Sequence, residues 1–229
     1  MSKLTFHGHS CFTLETNDGT ILLIDPFLTG NPLADIGPDD VVKADYVLFT
    51  HGHGDHIGDG FEIARRTGAT VISTFEIVAF AQQEKGIEKA HPLHIGGGYN
   101  FPVGYIKMTP ALHGGAVEGD ESGRFTTVPG GFLINVDGKT VYHAGDTALL
   151  TDMQLLKGQV DVACLPIGDN FTMGPTDAVR AVEMIEPKAV IPMHYNTFDV
   201  IEQDPNTFAG SVGSRSQVVI LEPGQSYEF

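Results

Sequence analysis

The chain has 229 residues, 41% of them hydrophobic and 18% charged, the balance of a globular protein with room for a substantial core. Its 29 acidic and 13 basic residues leave a formal charge of −16, and no Lys/Arg cluster interrupts the acidic surplus, which argues against a nucleic-acid partner on electrostatic grounds. There is no run of about 18 apolar residues and no basic segment followed by an apolar stretch, so neither a membrane span nor a secretory leader is expected, and the cytoplasm is the expected location.

KLTFHG, CFTLET and TILLIDPF read as strands from their alternation, with Asn17-Asp18-Gly19 as the hairpin turn between the second and third. YVLFT (46–50) is a continuous apolar run, the pattern of a strand buried on both faces. FEIARRTG predicts a helix closed at Gly68, ATVIS a strand, and TFEIVAFAQQEKG a second helix closed at Gly86. From His91 to Val136 the pattern is all strand and turn, through HPLHIGGGYNF, YIKMTPALH and TVPGGFLINV. KTVYH follows as a strand across the Asp137-Gly138 turn. TALLTDMQLLKG predicts a helix, DVACLPI a buried strand, and GPTDAVRAVEMIEP a helix with Pro175 near its first turn. AVIPMH is a strand, and SQVVILEPGQSYEF holds one or two more.

Cys11 and Cys164 lie in apolar, strand-like segments and read as buried free thiols. No linker, low-complexity tract or short repeat breaks the chain, so a single domain over residues 1–229 is expected. Each half runs strands first, then alternates strand and helix, an order that supports the α/β class.

The stretch FTHGHGDHIGD, from Phe49 to Asp59, places three histidines and two aspartates after the apolar run 46–50. On a flat strand His51, His53 and Asp55 would share one face and His56 the other. Gly52 and Gly54 are expected to free the backbone so that all four side chains address one volume. Three further strand patterns end on similar groups: YIKMTPALH at His113, KTVYHAGD at Asp146 and AVIPMH at His194. Five histidines and two aspartates at strand ends form a donor set suited to zinc, and also to manganese or iron.

THGHGDH carries the H-x-H-x-D-H motif of the metallo-β-lactamase superfamily, which the chain resembles. His113, Asp146 in HAGDT, and His194 fall where that family has its third histidine, bridging aspartate and last histidine. From HGHSCF and LLIDPF to PIGDNFTMGPTDA the chain is most similar to a compact branch of metal-dependent hydrolases related to ascorbate-6-phosphate lactonases. The resemblance implies a four-layer α/β/β/α sandwich, two mixed sheets with helices on the outer faces, and a homo-oligomer. It also implies two divalent ions, zinc first: one on His51, His53 and His113, the other on Asp55, His56 and His194, with Asp146 bridging. Such a pair lowers the pKa of a shared water toward neutrality, and the hydroxide attacks a lactone, ester, thioester or phosphoester. Asp55 is the candidate to orient that nucleophile and move its proton. The net positive centre would attract a small anionic substrate.

Other readings of the scaffold are a mononuclear-iron thiol or persulfide dioxygenase and a phosphodiesterase or nuclease. The flavodiiron branch has glutamate where this chain has His53, and a non-catalytic relative would have lost ligands that are all present here. Around the site, His7 and His9 (FHGHS) are candidates for supporting a ligand or touching substrate. Asp25 in LLIDPF either orients a ligand histidine or forms a turn before Pro26. His143 reads as a core histidine, Asp169 and Asn170 as pocket lining or turn, and Tyr195 and Asn196 as possible oxyanion donors. The polar stretch 114–127 is expected to flank the mouth, with Arg124 its only cation.

Overall fold

The structure, a computed structural model, describes residues 1–229. The first half of the chain forms β1 (Lys3–Phe6), β2 (Phe12–Glu15), β3 (Ile21–Ile24), β4 (Tyr46–Leu48), α1 (Gly54–Ile57), α2 (Gly60–Thr67), β5 (Thr70–Thr74), α3 (Phe75–Glu84) and β6 (Ala90–Leu93). The second half forms β7 (Gly98–Phe101), β8 (Gly104–Pro110), β9 (Gly130–Val136), β10 (Lys139–His143), β11 (Val162–Pro166), α4 (Pro175–Ile185), β12 (Ala189–Met193), α5 (Pro205–Val212) and β13 (Gln217–Val218). The last strand, β14 (Ser226–Glu228), returns to pair with β1.

Two seven-stranded sheets result, ordered β14-β1-β2-β3-β4-β5-β6 and β13-β12-β11-β10-β9-β8-β7. Both are mixed in the same way. Pairings from β14 to β3 and from β7 to β10 are antiparallel, and those from β3 to β6 and from β10 to β13 are parallel. The halves are therefore built alike, and Asp25 after β3 occupies the place that Asp146 occupies after β10.

The pleat sorts side chains into two cores. Leu22, Ile24, Leu48 and Ile72 point between the sheets and meet Met108, Phe132, Ile134 and Val141. Their neighbours Leu23, Val47, Phe49 and Val71 point outward and are covered by Phe61 and Ile63 of α2 and Ile77 and Phe80 of α3. Ala178, Ala181 and Ile185 of α4 and Phe208 of α5 close the outer face of the second sheet. This is the four-layer arrangement that the resemblance implied. Cys11 and Cys164 are free and buried as expected, and burial pushes both thiols well above their ordinary range.

Three local expectations change. TALLTDMQLLKG is not an α-helix; only Thr151–Leu156 coils, as a 3₁₀ turn. Ala148 N–H donates to the Leu112 carbonyl and the Thr147 carbonyl accepts from Met173 N–H, so these backbone groups are committed across the chain. The helix α5 had no counterpart in the sequence reading, although Asp204 caps it through Asn206 N–H and Pro205 opens it. Gly52 has no unusual φ; a Cβ there would overlap the Ala116 carbonyl oxygen and Val117, so it is the close approach of the 114–118 segment that requires glycine. No helix is long and apolar enough to cross a membrane.

Candidate metal centre

All seven predicted ligands meet at one end of the two sheets, beyond the C-termini of β4, β8, β10 and β12. Crevices at such strand ends are where open α/β sheets collect functional groups. After β4 the chain turns through His53 into the single turn of α1, and this turn brings Asp55 and His56 to the same side as His51 and His53. His194 (φ 55°) closes β12 in the left-handed region, with its N–H held by the His9 carbonyl at 2.7 Å. Left-handed backbone at non-glycine residues is strained, and here it recurs at His9 and Asp25 as well.

Two triads face each other across Asp146. In the first, His53 Nδ1 lies 3.1 Å from His51 Nε2 and 3.2 Å from His113 Nε2. The second gathers Asp55, His56 and His194, with His9 beside them. Asp146 Oδ1 is 3.2 Å from His56 Nε2. Its Oδ2 is 3.0 Å from His194 Nε2, 3.4 Å from His113 Nε2 and 4.0 Å from His51 Nε2. One buried carboxylate thus reaches both groups. Its ligand neighbours His51, His56 and His194 are buried, whereas His53, Asp55 and His113 are half-exposed and mark the open side.

Behind the ligands, Asp25 is fully buried and saturated. Its Oδ1 accepts from Thr50 N–H at 2.8 Å; its Oδ2 accepts from the Thr50 hydroxyl at 2.6 Å and from His56 Nδ1–H at 2.8 Å. The Thr50 hydroxyl, its proton committed to Asp25, accepts from His51 Nδ1–H at 3.1 Å. With each Nδ1–H so committed, either imidazole when neutral leaves Nε2, on the Asp146 side, as its free lone pair. Asp25 therefore bonds to His56, one of the expected ligands, and at φ 46° it also forms the turn before Pro26 through Phe27 N–H. Thr50 was not singled out from sequence, though its place immediately before His51 at a strand end is the signal.

The electrostatics show an anion-rich knot awaiting positive charge. Burial pushes His56 down, but the Asp146 and Asp25 carboxylates outweigh it and hold its pKa well above the usual range. Burial raises Asp146 and Asp55, yet His194 and His56 draw Asp146 well below the carboxylate range, and His9 and His56 do the same for Asp55. Burial lowers His51 and His113. His56 Nε2, Asp146 Oδ1 and both ring nitrogens of His194 are buried without hydrogen-bond partners. Buried nitrogens and a carboxylate oxygen left without hydrogen-bond partners around one volume fit divalent cations, and five imidazoles with two carboxylates fit zinc.

The other candidates separate clearly. His9 is buried against the centre: Nε2 lies 3.2 Å from Asp55 Oδ2, Nδ1 lies 2.9 Å from Thr197 Oγ1, and the ring packs against His194 with centroids 4.0 Å apart and planes tilted by 43°. Burial and His194 lower its pKa to about 4. His7 is not brought to the centre; Asp35 and Thr13 occupy both its nitrogens. Asn196 Oδ1 caps Gln203 N–H at 2.7 Å, which leaves the donating NH₂ of this exposed amide uncommitted. Tyr195 packs on the core, with burial and Glu222 raising its phenol to about 12. Asp169 Oδ1 accepts from Asn170 N–H, a turn role. His143 is a core histidine donating to the Ser10 carbonyl. The 114–127 segment does pack on the motif, through Glu118 N–H to the Gly52 carbonyl, but Arg124 is drawn off to Glu84 at 2.9 Å. Thr197 carried no sequence signal.

A sandwich of two mixed sheets with this ligand knot at the strand ends defines a metal-dependent hydrolase of the metallo-β-lactamase superfamily. The chain belongs to that superfamily: the family model described as Beta-lactamase superfamily domain matches residues 3–194. It is 51% identical over 229 residues to a UPF0173 metal-dependent hydrolase of Desulforamulus reducens, covering 97% of this chain and 98% of that protein. A UPF0173 metal-dependent hydrolase of Bacillus cereus is 50% identical over 228 residues, with 98% of each covered. Among solved structures, Igni18, a metallo hydrolase from the hyperthermophilic archaeon Ignicoccus hospitalis, is similar with a TM-score of 0.89 at 41% identity, covering 100% of this chain and 99% of that one.

Proposed function

We propose that the protein hydrolyses an ester-type bond, a lactone, ester, thioester or phosphoester, in a small molecule, working with two divalent ions, zinc by preference. The observation that carries this reading is Asp146, one buried carboxylate within 4.0 Å of four histidines from both triads. His51 Nε2, His53 Nδ1 and His113 Nε2 would hold one ion, Asp55, His56 Nε2 and His194 Nε2 the other, and Asp146 both. When bound, such a pair activates water near neutral pH and polarises the oxygen of the scissile group.

The chain's own residues supply the rest. Asp55 is the ligand carboxylate on the open side, so its free oxygen is placed to hold a water and take its proton. His9, at 3.2 Å, fixes the rotamer of Asp55. Asp25 and Thr50 keep two imidazoles in their ligating tautomer. The test is metal content per chain by elemental mass spectrometry, followed by a panel of lactones, thioesters and phosphoesters. Two zinc or manganese ions with turnover in the panel support the reading. One iron with dioxygen consumption in the presence of a thiol overturns it.

A further inference from the structure

We propose that Phe27 and Phe198 form the subsite that selects substrate, and that the substrate is a neutral ester bearing an aryl or similarly flat apolar group beside the scissile bond. This rests on the hydrolase reading above. Both rings stand edge-on to His9, at 5.7 Å and 5.6 Å, and 6.5 Å from each other with 34° between their planes. His9 in turn touches Asp55 and packs against His194. The pair therefore forms an apolar notch directly over the Asp55–His194 side of the centre. Phe198 is 38% exposed while the histidine beneath it is fully buried.

The notch is built rather than incidental. Left-handed backbone at His194 and Asn196 folds the chain back after β12, and Thr197 Oγ1 fastens it to His9. Asn196 N–H to the Ile201 carbonyl, Ile201 N–H to the Phe198 carbonyl, and the Asn196 cap on Gln203 close the loop that presents Phe198. On the other side, Asp59 Oδ2 accepts from Leu28 and Thr29 N–H, and Asn31 Nδ2 donates to the Phe27 carbonyl. Rings held by pinned loops need little ordering to receive a flat group.

Charge decides the rest. No lysine or arginine makes an ion pair or hydrogen bond with a ligand residue. Arg124, the one cation of the flanking segment, is paired with Glu84 and lies over the Phe125 ring. The rim instead carries Glu118 beside Gly54 and Asp199 next to Phe198. An anionic group placed away from the ions would meet carboxylates, which favours a neutral substrate over the anionic one expected from the charge of the ions alone. Hydrolysis adds water across the ester: the C–O bond to the phenol breaks, acid and phenol leave, and no redox partner takes part.

The experiment compares phenyl acetate, ethyl acetate and 4-sulfophenyl acetate on the zinc-reconstituted protein, in wild type and in Phe198→Ala, Phe198→Leu and Phe27→Ala. The expected result is a preference for phenyl over 4-sulfophenyl acetate of about tenfold in kcat/KM. Phe198→Ala should reduce the phenyl-over-ethyl preference about tenfold, mainly through KM, with Phe198→Leu intermediate. Saturation-transfer NMR with acetanilide, the amide counterpart of phenyl acetate, should show ring contacts in the wild type that Phe198→Ala loses. Equal or faster turnover of the sulfonated ester, or an unchanged preference in both alanine variants, overturns the subsite while leaving the hydrolase reading intact. Acetanilide contacts without turnover of any ester overturn the reaction instead and leave the notch standing.

Discussion

Replacing the Asp25 carboxylate by an amide should weaken both ions together. In the wild type Oδ1 accepts from Thr50 N–H, and Oδ2 accepts from the Thr50 hydroxyl and from His56 Nδ1–H. An amide has one accepting end and one donating end. With its NH₂ toward Thr50 and His56, His56 Nδ1 must become the acceptor, and the proton moves to Nε2, where a ligand lone pair is needed. The Thr50 hydroxyl then turns its proton toward His51 Nδ1, and His51 Nε2 is protonated as well. The reversed amide sets NH₂ against the buried Thr50 N–H, two donors without an acceptor, at a cost of about 1–3 kcal/mol. Loss of such a supporting partner lowers metal affinity roughly 10–100-fold, about 1.4–2.8 kcal/mol. Zinc titration of Asp25→Asn against a competing chelator, with metal content after dialysis, reads this directly. A loss confined to the His56 site, with the His51 triad at wild-type affinity, would refute the relay through Thr50. Affinity within about threefold at both sites would refute the role of Asp25.

Three further outcomes follow from the structure. Asp161 accepts from Lys188 at 2.6 Å and from Thr140 N–H at 2.9 Å; burial raises its pKa, but these donors and Lys139 hold it below the usual carboxylate range. A depressed carboxylate stabilises the fold above its unfolded pKa and ceases to as pH falls through the folded value. Asp161→Asn should therefore cost about 1–2 kcal/mol at neutral pH and progressively less below about pH 4, as measured by urea denaturation; a difference independent of pH would argue against this. Gly52→Ala drives a Cβ into the Ala116 carbonyl, and a loss of about 1–3 kcal/mol should appear in the melting temperature, with no change meaning that the 114–118 segment yields freely. Arg124→Ala should leave kcat/KM unchanged and cost at most about 1 kcal/mol, since its pair with Glu84 is exposed; a marked rise in KM would place it at the mouth after all.

The convergence of the seven side chains was legible because its signal is local: they fall at or just after the ends of apolar strand patterns, and glycines crowd the motif. Core strands such as Tyr46–Leu48, within the expected 46–50, and Val162–Pro166 were legible for the same reason, since burial on both faces leaves an unbroken apolar run. What sequence could not give is long-range. Thr147 to Leu150 look helical by composition, yet their backbone groups bond to Leu112 and Met173. Asn196 fixes its loop by capping Gln203 N–H through Oδ1, a contact that composition does not announce. His7 and His9 are two residues apart with similar neighbours, and only the fold sends one to Asp35 and the other to Asp55. The aromatic notch joins residues 27 and 198 through a histidine at 9, a proximity that no spacing encodes.

The similarity of the two halves of the chain has a consequence for biosynthesis. The first half carries His51, His53, Asp55 and His56; the second carries His113, Asp146 and His194. Each triad draws on both, and the carboxylate between them arrives late. A nascent or cleaved first half therefore owns most of the ligands and no complete site. Loading must wait until the second sheet has docked, so an ion once captured certifies that both halves are assembled. Because binding to the native state alone stabilises it by mass action, the ions would act as a rivet through the seam, and metal starvation would be felt first as a loosening between the sheets.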